Sequence, residues 1–165
     1  MATWNIANDL INGDELLLYL TTGKTVVAYA TSCSIQVDSE TIDTSSKFSC
    51  RWASNMGGRA SYTISADALY CDAETGISFD DLLKYMVAGD PIEWYVGQEA
   101  AFDGNCDENP HTLDTAKTYY NGKAVVTSVS LNAGNNEIAS CSISLTGEGA
   151  IQMNGTDIKG DATQE

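Results

Sequence analysis

A chain of 165 residues, 43% of them hydrophobic, is long enough to fold as one domain around a real core. Its 23 acidic residues outnumber 8 basic ones and give a net charge of −15, a surface that repels nucleic acid rather than binding it. No run of 18 apolar residues occurs and no Lys or Arg precedes Lys24, so neither a membrane-spanning helix nor a signal peptide is expected.

Met1–Asn8 is a short N-terminal segment in which Trp4 and Ile6 give a weak edge-strand signal. Glu15–Leu20 reads as a strand, and Thr21–Lys24 as the turn of a hairpin. Thr25–Val37 is predicted as the first long strand. Val27, Tyr29, Thr31, Cys33, Ile35 and Val37 form its bulky, core-facing side. Val26, Ala28, Ala30, Ser32, Ser34 and Gln36 form a small face directed to solvent or a close neighbour. Asp38–Arg59 is a long irregular stretch rich in Ser and Thr. Such stretches inside compact domains are usually functional. Phe48 and Trp52 argue against plain disorder and favour an extended β-arm or a docking loop. Ala60–Ala66 alternates as a half-buried strand, with a bend expected at Asp67.

Ser78–Pro91 is the clearest helix signal. Ser78 suits the N-cap, its hydroxyl accepting from first-turn N–H groups, and Asp81 stands at the capping-box position. Asp80 and Asp81 complement the helix dipole. Phe79, Leu82, Leu83, Met86 and Val87 fall at helical spacing and form the predicted core face, with Asp80, Asp81 and Lys84 outward. Gly89 and Pro91 stop the helix. A strand follows at Pro91–Val96 with Ile92, Trp94 and Val96 on one side. Gly97–Thr118 is a second long loop, an acidic one carrying Asp103, Asp107, Glu108 and Asp114. Asn121-Gly122 suggests a tight turn before a strand at Ala124–Leu131, with Val125, Thr127, Val129 and Leu131 on one face. Across the Asn132–Asn136 turn, Glu137–Thr146 points Ile138, Ala139, Cys141, Ile143 and Leu145 inward. Gly147-Glu148-Gly149 is expected to break that strand ahead of a short last one at Ala150–Met153. The expected organisation is a single domain at residues 1–153 and a polar, mobile tail at 154–165. The expected fold is mainly β: a β-sandwich or barrel with one flanking α-helix and long inter-strand loops or arms.

The chemistry is sparse. The five cysteines are odd in number and form no C-x-x-C pair, so free thiols in a reducing cytoplasm are expected, Cys33 and Cys141 as buried hydrophobes. The single His111 lies in the acidic loop with no Gly-x-Ser-x-Gly elbow to serve, and no phosphate-binding glycine motif is present. Asp103-Gly104-Asn105-Cys106-Asp107 has the opening spacing of a calcium loop, with Asp114 at its twelfth position. Glu108 replaces the required Gly, however, and flanking helices are missing. No enzyme activity, metal or cofactor is expected. Absence of site chemistry beside long arms points to a structural or assembly role. Between Thr44 and Ala66 there are three basic residues, Lys47, Arg51 and Arg59, and no acidic ones; between Asp67 and Ala116 there are twelve acidic residues and only Lys84 as a basic one. Lys47, Phe48, Arg51, Trp52 and Arg59 therefore form a candidate inter-subunit arm able to dock on an acidic neighbour.

Three stretches together resemble the major tail tube proteins of long-tailed bacteriophages. They are Gly23–Ser34 running into Ser39-Glu40-Thr41, the Arg59–Ala66 strand with the Phe79–Pro91 helix and turn, and Tyr120–Ala133 with Ile143–Gly149. The resemblance implies a virion protein, assembled in the bacterial cytoplasm, whose six copies make a ring with a continuous inner β-barrel. Rings would stack into a tube through which DNA passes without sequence-specific binding, with other tail proteins at the tube ends and no membrane partner. The Asp38–Arg59 stretch matches the family's long arm. The inner tube protein of a contractile tail or a related injection system is the neighbouring alternative, and a carbohydrate-binding β-sandwich adhesin the alternative from another class.

Overall fold

The computed structural model describes residues 11, 13, 16–21, 24–27, 30–46, 52–70, 77–100 and 111–158. Among them, eight strands and one helix follow in the order β1 (Leu16–Leu20), β2 (Thr25–Val26), β3 (Ala30–Asp43), β4 (Asn55–Leu69), α1 (Phe79–Ala88), β5 (Ile92–Gln98), β6 (Tyr120–Asn132), β7 (Ser140–Met153) and β8 (Thr156–Asp157). All pairings between the strands are antiparallel, in one sheet of order β2-β1-β5-β6-β7-β4-β3, with β8 on β7. The expected mainly-β fold with one flanking helix is the observed one. The sheet curls so that Leu18, Leu20 and Trp94 from one half meet Tyr62, Ile64, Ile143 and Leu145 from the other in a single core. Burying such side chains is worth roughly 1.5–3 kcal/mol each.

Long strands β6 and β7 belong to both halves. At its N-terminal end β6 pairs with β5 through Tyr120–Ala124, and β7 leaves β4 after Thr146. The crossing point sits at Gly147, where any Cβ would fall 2.3–2.4 Å from the Tyr62 ring. The Tyr62 hydroxyl donates to the Lys123 carbonyl and accepts from Trp94 Nε1 at 3.3 Å, with the two rings 5.6 Å apart. Glycine at 147 therefore leaves room for an aromatic plug. From local sequence, Gly147-Glu148-Gly149 is expected to break a strand and Asn121-Gly122 to form a turn. Both lie inside continuous strands, and the irregularity appears as register shifts, including one between Asn121 and Lys123.

Other local expectations need similar correction. The predicted Thr25–Val37 strand is divided: β2 ends at Val26, and β3 begins at Ala30 with a register shift between Ala30 and Ser32. That shift leaves Thr31 exposed and Ala30 packed against the core, while Val27, Cys33 and Ile35 keep their inward phase; Val37 is 59% exposed. Tyr29 lies outside the described residues. No bend occurs at Asp67, because β4 runs through to Leu69 with Tyr62, Ile64, Ala66 and Ala68 all buried. In β6 the shift between Val126 and Ser128 breaks the predicted face: Val126 is buried, Thr127 and Leu131 are exposed, and Val129 packs on the core. Ile138 is exposed in the turn before β7, whereas Cys141, Ile143 and Leu145 are buried as expected. Asn154-Gly155, expected to start the polar tail, makes a turn with φ of 53° and 74°, the conformation a tight hairpin demands, and β8 pairs back on β7.

Helix α1 starts at its Ser78 N-cap and ends at Gly89, whose φ of 72° gives the left-handed stop. Asp81 accepts from the Ser78 N–H at 3.5 Å and from its hydroxyl at 3.2 Å, and with the Ser78 side chain facing the Asp81 backbone N–H the expected capping box is present. Leu82 is fully buried, and Phe79, Tyr85 and Met86 pack on the core. Leu83 and Val87, assigned to the core face by spacing, are 39% and 78% exposed. A ten-residue helix laid against β6 buries a stripe narrower than its apolar residues could fill.

Candidate functional site

Side chains alternate strictly across a strand, so a strand with a buried apolar face must show its other face outward. In β3, β4, β7 and the C-terminal part of β6 that outward face is made of hydroxyls. Pairing aligns them in rows across four strands. One row is Ser34, Ser65, Ser144 and Ser128; the next is Ser32, Asp67, Ser142 and Ser130. Asp67 is the single charge in these rows, and both its oxygens are held: Ser32 Oγ donates at 2.8 Å and Ser142 Oγ at 2.7 Å. The Ser142 and Ser32 hydrogen bonds favour the ionised form and hold the Asp67 carboxyl below the usual carboxylate range. Thr127 Oγ1 donates to the Ser144 carbonyl at 3.1 Å, tying β6 to β7 on the same face. The small-residue face expected for Ser32, Ser34 and Gln36 is thus present and extends over three more strands.

Two strand edges bound this face. Among the described residues, the 14-residue strand β3 ends the sheet and pairs with β4 alone. On the other flank, β5 covers β6 only as far as Ala124, so among the described residues Val125–Asn132 is paired with β7 alone.

The described parts of the long Asp38–Arg59 stretch form a β-ribbon rather than an irregular loop. Asp38–Asp43 pairs with Asn55–Ser61, and Thr44 and Ser54 close the described part of the tip. Below Thr63, β4 pairs with β3 and with no other strand among the described residues, so the ribbon stands clear of the sheet. It exposes Val37, Ile42, Met56 and, at 85%, Trp52. Arg59 is exposed on β4 beside them. Lys47, Phe48 and Arg51 lie outside the described residues.

The acidic loop contributes its base only. Leu113 is buried, the Glu99–Leu113 bridge closes the loop, and His111 Nδ1 lies 2.6 Å from Glu99 Oε1, so the lone histidine is hydrogen-bonded rather than simply solvated. Asp114 accepts the Ala116 N–H at 2.9 Å, which spends its carboxylate on a turn. Asp103, Asp107 and Glu108 lie outside the described residues. No cluster of three metal-ligating side chains occurs among the described residues. Cys141 is buried, Cys33 is half-buried, and burial pushes the Cys33 thiol up to about 11. No helix among the described residues is long and apolar enough to cross a membrane.

The functional feature that sequence reasoning missed is the row order. Each strand shows its Ser and Thr alternation, but only pairing register reveals that they meet and that Asp67 is clamped among them.

Comparison with known proteins gives the arrangement a context. Residues 10–153 match the family model described as phage tail tube protein. Among solved structures, the chain is similar to one from the virion of a native gene transfer agent particle, at 22% identity and a TM-score of 0.67, over 87% of this chain and 98% of that one. It is also similar to a chain of the SPP1 tail tube, at 11% identity and a TM-score of 0.64, over 90% and 81%. A chain of a sheath-tube complex from an extracellular contractile injection system shares the fold at 14% identity and a TM-score of 0.61, over 95% and 100%. A comparison with curated proteins gives no match.

Proposed function

Because this chain belongs to the phage tail tube protein family and is a structural component of the virion tail, we propose that its copies join edge to edge into six-fold rings, which stack into the tube. The observation that carries this reading is the four-stranded β6-β7-β4-β3 face with an open edge on each side. Neighbours in it alternate in direction, so β3 and β6 run opposite ways. A second copy, displaced sideways and rotated about one axis without inversion, sets its β6 antiparallel to the first copy's β3. Repetition closes a ring through heterologous contacts. Each added strand pair satisfies backbone groups that an edge otherwise leaves open.

The hydroxyl rows then line the lumen. They offer DNA small neutral groups and Asp67 but no cation that would hold a phosphate, so the genome slides through without sequence-specific binding. The protruding ribbon, with Trp52 and Arg59, reaches the adjacent subunit or ring. Other tail proteins cap the tube ends. The reading assigns no catalysis and no cofactor.

Negative-stain electron microscopy of the purified full chain tests it. Rings or tubes with a central hole are expected. A strictly monomeric particle at high protein concentration overturns the reading.

A further inference from the structure

Among the described residues the 14-residue β3 pairs on one side only, and such an edge is a liability, because it can pair with any other exposed edge, including its own copy. Strand β3 carries three charges, Asp38, Glu40 and Asp43, all acidic and all exposed, and all in the half that forms the ribbon. The ribbon stands clear of the sheet, so this half is the part of β3 that a second copy reaches without steric conflict. The open part of β6, Val-Val-Thr-Ser-Val-Ser-Leu-Asn at 125–132, carries no charge. The two edges therefore differ in kind.

We propose that Asp38, Glu40 and Asp43 select the partner strand, preventing β3 from pairing with β3 of another copy and leaving the uncharged β6 edge as its partner. This rests on the edge-to-edge ring reading above. Two ribbons meeting by their β3 edges about a two-fold axis are antiparallel. Centred on Ser39, such a pair sets Asp38 opposite Glu40 of the second copy, and Glu40 opposite its Asp38. Like charges directly opposite on neighbouring strands are destabilising. Pairing of β3 with β6 opposes each carboxylate to a neutral residue. The Gln36 amide donates to both Asp38 oxygens, at 3.2 and 3.0 Å, and the Ser45 N–H donates to Asp43 at 2.8 Å. Two of the three carboxylates are thus held at the ribbon rather than swinging away. The device removes the closed two-fold dimer, a dead end for a ring built from head-to-tail contacts.

The test compares the full chain with a triple variant, Asp38→Asn, Glu40→Gln and Asp43→Asn. Both are kept dilute, in about 0.15 M salt, and read by native mass spectrometry and sedimentation. We expect about ten-fold more dimer from the variant, since two opposed acid pairs are relieved at once. The unaltered chain moves the same way in about 1 M NaCl, where the screening length falls to roughly 3 Å. A variant that shows no more dimer than the unaltered chain overturns the proposal. Should the variant fail to fold, by circular dichroism, the salt series on the unaltered chain decides, and an unchanged dimer fraction overturns the proposal in the same way. Dimer is counted under dilute conditions, so the result stands whether or not rings form at high concentration. Absence of rings there sinks the ring reading separately.

Discussion

Gly147 and Asp67 show how far single positions depend on neighbours distant in sequence. A Cβ at 147 would enter the Tyr62 ring, which is itself fixed by Trp94 and the Lys123 carbonyl. Gly147→Ala is expected to lower stability by about 1–3 kcal/mol, as overpacking a core does; a denaturant midpoint that does not move would count against the plug. Asp67 gives a prediction in pH. Its folded carboxyl is held down, first by Ser142 and then by Ser32, so its contribution is present above the unfolded value, about 3.9, and is lost as pH falls through the lower folded value. Replacing both serines by Ala should raise the Asp67 titration midpoint toward that unfolded value in a carboxylate NMR titration, and an unshifted midpoint refutes the clamp.

Among the elements, α1 separates apolar residues by what they touch. Leu82 is fully buried and Val87 is 78% exposed, although both fit the same spacing. Leu82→Ala should cost about 2–5 kcal/mol and Val87→Ala within about 0.5 kcal/mol, measured by chemical denaturation. Equal losses would mean that the helix buries the wider stripe its sequence allows. The ribbon makes the complementary point. Its sequence looks irregular because it is rich in Ser and Thr, and cross-strand hydrogen bonding rather than hydrophobic patterning orders its described strands.

For the whole molecule, charge is separated between the basic Lys47/Arg51/Arg59 stretch and an acidic remainder. Reversing charge at Arg51 and Arg59 together should weaken tube assembly while leaving the folded monomer intact, since rim charges steer docking more than they stabilise a fold. Tubes of normal length and salt tolerance from that double variant would remove the arm from the assembly mechanism.

Elements with strong local signals were legible in the sequence: the α1 boundaries, the Tyr62–Ala66 and Cys141–Leu145 alternation, buried Trp94 and the mainly-β class. These depend on capping and on side-chain period, which act over a few residues. Tertiary structure alone decided the rest. Register shifts in β3, β6 and β7 turned apparent breaks and turns into continuous strands, because a partner strand satisfies the backbone whatever the local propensity. Pairing order likewise decided that four hydroxyl faces adjoin and that β3 and β6 are left open. Neither feature has a local signature, since strand neighbours come from distant parts of the chain.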